Sequence, residues 1–280
     1  MFGSDCSSSH NSAVRWPVLF LNSTWAETGR RLVISQLKLS DPSTDGAIVF
    51  SAADDSLALI GRDIALSTAA SLSARFAYVL PAGTLTDAEG RVHGHAVDGG
   101  YFENYGAVTA SEILAEVKLA LGPDFDKLQP VIILISSDPA LPNELNALCN
   151  LPYANAGRCE VESIRYAPEI RSPFRTFSKT RETRGILAAL NLRAYAKSLG
   201  GVFVQFRLCQ SSASMQEASA LPATPTGRDA PLGWALSESA KQAIKRMLTD
   251  LDRPDNPCLR INGESWAALH SLFGSVHLQQ

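Results

Sequence analysis

An acid followed by two glycines, Asp98-Gly99-Gly100, stands between two stretches of different period. Before it, His93 to Val97 alternates as a strand does. After it, Tyr101 to Ala107 reads as the turn into an amphipathic helix from Ala107 to Leu121. Asp98 is thereby placed at the carboxyl end of a strand, where α/β proteins present their chemistry. Paired glycines after the acid allow a sharp bend with φ > 0 and a close approach by another segment or a substrate. Asp-Gly is also an ordinary hairpin turn, so the triplet alone leaves both readings open.

The rest of the chain supplies a sheet for that turn. Val18 to Thr24 and Arg30 to Leu37 read as paired strands across Glu27-Thr28-Gly29. Leu57 to Phe76 reads as one helix whose many Ala and Ser residues permit close packing. Ser67, Ser71 and Ser73 are taken as packing residues, because none stands on a strand-to-helix turn that would expose it. Alternation puts His93 and His95 on the strand face opposite Asp98, so neither is expected to reach it.

In the helix from Ala107 to Leu121, Ala110, Ile113, Leu114, Val117 and Leu121 form an inward face. Glu112, Glu116 and Lys118 fall outside it, and Gly122-Pro123 stops the helix. Val131 to Ile135 is continuously apolar, as central parallel strands are. Strand, helix and strand then predict a βαβ unit in an α/β fold, with a mostly parallel sheet and helices on both faces. Asp138, a second acid at a strand end, precedes Pro139 and reads as a turn opener. Pro139 to Arg175 reads as a long lid or binding loop. Thr183 to Leu199, Val202 to Leu208 and Ser237 to Leu251 read as helix, strand and helix, with a polar loop from Gln210 to Asp229.

Composition bounds the function. The chain has 280 residues, 45% hydrophobic and 19% charged, which suits one domain from residue 16 to 280 behind an irregular lead, 1–15. A formal charge of -3 with no basic cluster argues against a nucleic-acid partner. Met1 to Ser12 lacks a cationic and apolar signal pattern, and Val18 to Leu21 is too short to span a bilayer, which points to a cytoplasmic or peripheral-membrane protein. Five widely spread cysteines without a Cys-x-x-Cys pair predict neither a zinc site nor a disulfide framework. Cys149 and Cys159 flank a loop and leave a local bridge open. No metal and no cofactor is expected.

The segment Val97-Asp98-Gly99-Gly100-Tyr101-Phe102-Glu103-Asn104-Tyr105-Gly106 resembles the block that carries the catalytic aspartate of patatin-like phospholipases. Further blocks follow in matching order. Arg15 to Ser35 looks like the strand and hairpin ahead of that block. Ala65 to Phe76 looks like the Ala/Ser-rich helix, with Leu80-Pro81-Ala82-Gly83 leading on. Leu232-Gly233-Trp234-Ala235-Leu236-Ser237 looks like the tail of large bacterial members. The resemblance implies a three-layer α/β fold and a Ser-Asp dyad with Asp98 as proton acceptor, supported by the Gly99-Gly100 turn. It also implies an acyl lipid or a membrane surface as substrate.

The family's Gly-x-Ser-x-Gly elbow and Gly-rich oxyanion loop do not stand in this sequence. The one approximation, Gly263-Glu264-Ser265-Trp266-Ala267, lies after Asp98, ends in Ala and reads as a helix start. A serine hydroxyl needs a base, and the charge on the attacked carbonyl needs preplaced N–H donors. The expectation is an incomplete patatin-like domain, inactive alone. The alternative is a non-catalytic remnant of the fold that binds lipid or a partner. Loss of the leading strands would leave an apolar sheet edge for self-association.

Overall fold

The strands read across Glu27-Thr28-Gly29 form a hairpin. In the computed structural model, which describes residues 17–39, 50, 53–76, 79–136, 168–208, 238, 241–242, 244–245 and 257–274, β1 (Phe20–Trp25) pairs antiparallel with β2 (Arg31–Ser35), from Phe20 opposite Ser35 to Thr24 opposite Arg31. Its turn is closed by Trp25, whose N–H donates to Arg30 O and whose carbonyl accepts from Gly29 N, both at 2.8 Å. All five residues of β2 are buried, so this strand is covered on both faces.

Three further strands complete the sheet: β3 (Ala53–Asp55), β4 (Gly83–Thr86) and β5 (Val92–Asp98), in the order β3-β2-β1-β5-β4. Only β2 and β3 run parallel; β1 with β2, β1 with β5 and β4 with β5 are antiparallel. The expected mostly parallel sheet is therefore corrected to a mixed, largely antiparallel one. The reason is connection length: tight turns join β1 to β2 and β4 to β5, and such turns reverse the chain.

Helices cover both faces of this sheet. Alternate residues of β2 split between them: Leu32 and Ile34 enter a core with Leu85, Ala96, Ile60, Ala69 and Leu72. The last three come from α1 (Ser56–Ile60) and α2 (Leu66–Ser73). The single helix read from Leu57 to Phe76 is thus two. Asp55 caps α1 by accepting from the N–H groups of Leu57 and Ala58, and Gly61 ends it at φ 67, a conformation that glycine takes without a Cβ penalty. Ser73 donates to the Asn22 carbonyl at 2.6 Å, the packing use expected of these serines.

On the opposite face lies α3 (Ala107–Leu121), with the bounds read from sequence. Its buried residues are Ala107, Thr109 and Leu114, whereas Val117 and Leu121 are exposed. The helix is turned from the expected face because Arg31, on a buried strand, draws Glu112 and Thr109 toward the sheet.

β6 (Val131–Ser136) does not join β5. It pairs in parallel with β7 (Val202–Arg207) in a separate two-stranded sheet, so the predicted βαβ unit is not formed among the described strands. α4 (Pro168–Ser198) begins inside the stretch read as a loop, where Pro173 and a run of polar residues hide it; Pro168 suits a first helical position. α5 (Pro257–Phe273) is the last element.

The described residues form two compact units. One runs to Lys127 and takes α4 up to Leu192. The other begins at Leu128 and takes the chain from Arg193 on. Residues 1–16, Asp138, the remainder of the expected lid, the Cys149–Cys159 pair, the loop from 210 to 229 and most of 237–251 lie outside the described residues.

Candidate functional site

Asp98 is the last residue of β5, opposite Ser23 of β1, and half-buried. Two hydrogen bonds fix its backbone. Its N–H donates to Arg75 O at 3.0 Å, and its carbonyl accepts from Thr24 Oγ1 at 3.0 Å. Thr24 Oγ1 in turn accepts from Phe102 N at 3.1 Å, so one hydroxyl holds both ends of the turn. The carboxylate caps a single 3-10 turn, Gly99–Tyr101, taking the Gly100 N–H at 2.6 Å on Oδ1. Its other oxygen accepts no hydrogen bond from the described residues and is not sealed from solvent. The acid is held firmly by one oxygen and offered by the other.

Gly99 and Gly100 serve this turn by the space they leave. Neither takes a positive φ, which corrects the expected reason for the pair. A Cβ on Gly99 would stand 2.8 Å from the carbonyl carbon of Asn22 and closer still to its oxygen. One on Gly100 would stand 2.8 Å from Asp98 Oδ1. Backbone on a central strand cannot yield as a side chain can, so Gly99→Ala is expected to cost about 1–3 kcal/mol. Urea unfolding followed by circular dichroism measures it; an unchanged midpoint would mean that the β1 backbone gives way.

The residues after the glycines use their side chains structurally. Glu103 is buried and receives the N–H groups of Tyr105 and of Val108, the latter at 3.1 Å, capping the start of α3. Burial pushes its carboxyl above the usual range against the pull of those N–H groups and of Arg31. The Asn104 side-chain oxygen lies against Gly100 and takes no part in that cap. Phe102 is flanked by two guanidinium groups, Arg31 at 5.5 Å and Arg184 of α4 at 4.8 Å from the ring centre, and Tyr101 has Arg181 at 5.5 Å. These cations escaped the sequence reading because their partners lie about eighty residues away.

The two histidines are engaged elsewhere. His95 Nδ1 lies 2.6 Å from Glu27 Oε1, and hydrogen bonds from the His95 side chain and backbone hold the Glu27 carboxyl below its ordinary range. His93 Nε2 lies 2.9 Å from Asp87 Oδ2. Burial would raise the Asp87 carboxyl, but hydrogen bonds from His93 and Arg91 outweigh it and hold that group well below the usual range.

Nor do the described residues place a usable hydroxyl beside Asp98. Ser23 faces the same side of the sheet, as cross-strand partners do, but it has no solvent exposure, so a substrate carbonyl has no path to it. Ser265 is buried within α5: its Oγ accepts from Gln205 N at 3.0 Å and donates to Gln205 O at 2.8 Å. Asn262 does the same for Arg207 through Oδ1 and Nδ2. Gly263-Glu264-Ser265 is therefore neither an elbow nor a helix start but the middle of a helix.

An open groove of about 370 Å³ lies between α3 and α4, lined by Val108, Ser111, Glu112, Arg184, Leu187 and their neighbours. Asp98 is not among its walls. Among the described residues no group of three His, Cys, Asp or Glu could hold a metal ion, and no helix is long and apolar enough to cross a membrane. No protein-family profile, curated protein or solved structure matches the chain.

Proposed function

We propose that this chain is the aspartate-bearing part of a patatin-like acyl-lipid hydrolase. The observation that carries the reading is the Asp98 carboxylate: at a strand end, on a turn that excludes side chains at the next two positions, with one oxygen fixed by Gly100 N–H and one open. In the proposed reaction that open oxygen takes the proton of a serine hydroxyl as the serine oxygen bonds to the ester carbonyl carbon. The proton then passes to the departing alcohol as the acyl-serine forms, and water repeats the sequence to release the acid. In this reading the serine and the N–H donors for the oxyanion are supplied by a further stretch of polypeptide, since no Gly-x-Ser-x-Gly turn stands in the sequence.

One observation favours a second reading. Asp98 already caps its own turn, which a purely structural acid would also do. In that case the chain is a lipid- or partner-binding member of the fold without catalysis.

The two readings part in a p-nitrophenyl ester assay. The 280-residue chain alone is expected to give no turnover above buffer. A longer version, extended by the coding sequence upstream of Met1, is expected to hydrolyse the ester if that sequence brings a Gly-x-Ser-x-Gly turn. An extended protein with such a serine and no turnover would sink the hydrolase reading. Turnover by the short chain that disappears in Ser265→Ala would sink the assignment of its parts.

A further inference from the structure

We infer that α4 is a clamp that holds the Asp98 carboxylate in its orientation and that Gly185 is the positioning residue of that clamp, which deepens the hydrolase reading above and rests on it for the reaction. Among the described residues the carboxylate is oriented by one hydrogen bond, from Gly100 N–H at 2.6 Å. The turn that offers this N–H runs on through Tyr101, Phe102, Asn104 and Tyr105, and α4 meets these residues within one compact unit. The Phe177 ring lies 5.9 Å from the Tyr101 ring, the Arg181 guanidinium 5.5 Å from the same ring, and the Arg184 guanidinium 4.8 Å from Phe102. At 3.6 residues per turn these three and Gly185 lie within about 100° of arc, on one face of the helix.

Gly185 sets how near the helix comes. It is buried, and a Cβ there would stand 2.8 Å from two ring carbons of Tyr105 and 3.4 Å from Asn104 N. The first distance is closer than Cβ atoms pack, so either the helix or the loop would have to move. The loop is itself tied down: buried Glu103 takes the Tyr105 N–H and, at 3.1 Å, the Val108 N–H. Asn104 passes the contact on, since its Oδ1 lies 2.5 Å from where a Cβ on Gly100 would stand. A packed path thus leads from Gly185 through Asn104 to the amide that orients the carboxylate. Alanine is the better helix former, so on propensity alone Gly185→Ala would steady α4. The clamp predicts the opposite for the Asp98 turn.

The test is amide hydrogen exchange, followed by nuclear magnetic resonance, in the 280-residue protein labelled with glycine that carries carbon-13 at the carbonyl and nitrogen-15 at the amide. Only Gly99-Gly100 and Gly200-Gly201 are consecutive glycines, so a carbonyl-filtered spectrum shows two amides, Gly100 and Gly201. Asp98→Asn moves the first and so assigns it. Gly201, bonded to Ala196 O at 2.9 Å in the other compact unit, is the control. Gly185→Ala is expected to speed exchange at Gly100 about tenfold and to leave Gly201 nearly unchanged. Arg184→Leu, at an exposed position where folding is not at risk, is expected to speed it about threefold by taking the cation from Phe102. In an extended, active protein Gly185→Ala is expected to lower kcat at least about tenfold with KM nearly unchanged, as displacement of a reacting group does. Unchanged exchange at Gly100 in both variants, or equal acceleration of the two amides, would overturn the inference. Exchange needs no hydrolysis. A Gly100 amide that responds while the extended form lacks esterase activity sinks the proposed function alone, and an active extended form whose Gly100 amide ignores both variants sinks this inference alone.

Discussion

In an extended protein that carries the serine, Asp98→Asn is expected to lower kcat by about 10²–10⁴-fold with KM nearly unchanged, the range for removing a general base. Asparagine has the shape of aspartate, and its Oδ1 can still accept the Gly100 N–H that the carboxylate accepts at 2.6 Å. The backbone ties through Arg75 and Thr24 do not involve the side chain at all. The substitution therefore leaves the turn standing and removes only the capacity to take a proton. Steady-state kinetics on an acyl ester, with thermal melts of both proteins as control, measure it. Near-normal kcat would take Asp98 out of the mechanism and leave the binding reading in possession.

Arg31→Met is expected to cost about 3–5 kcal/mol, the range for breaking a buried ion pair by removing one member. The Arg31 side chain is 2% exposed and its Glu112 partner 14%. The guanidinium also donates to Thr109 Oγ1 at 2.7 Å and lies 5.7 Å and 5.5 Å from the ring centres of Phe50 and Phe102. Methionine keeps the contact with the rings and takes the guanidinium away from the Glu112 carboxylate and from Thr109 Oγ1. Against a typical total of about 5–15 kcal/mol, such a loss removes much of the folded state. Urea unfolding measures it, and Arg31→Met with Glu112→Leu is expected to recover most of the stability, since apolar replacement of both partners removes the half-buried carboxylate as well. A single-variant loss under about 1 kcal/mol, the level of exposed pairs, would mean that water reaches this one.

What could be read from the residues was local. The β1–β2 hairpin follows from alternation across Glu27-Thr28-Gly29, and the bounds of α3 follow from its period and from Gly122. Asp98 at a strand end followed from the switch of period on either side of it. What could not be read was set by distant partners. An arginine inside a strand pattern gives no sign that Thr109 and Glu112 await it, and their pull decides which face of α3 turns inward. Parallel pairing of β6 with β7 rather than with β5 depends on segments seventy residues apart, and neither strand's own pattern names its neighbour. α4 was missed over its first half because its apolar positions are few and a proline sits among them. The glycines after Asp98 were noticed for the right position and in part the wrong cause, since volume rather than dihedral freedom fixes them.

The side chains of Asn262 and Ser265 occupy the N–H and C=O groups that β7 presents away from β6, at Arg207 and Gln205. A helix has thereby been fitted as a terminator, giving each of those four groups a partner that a neighbouring strand would otherwise supply. The small parallel sheet is consequently stopped on that side: lengthening past β7 would first require peeling α5 away.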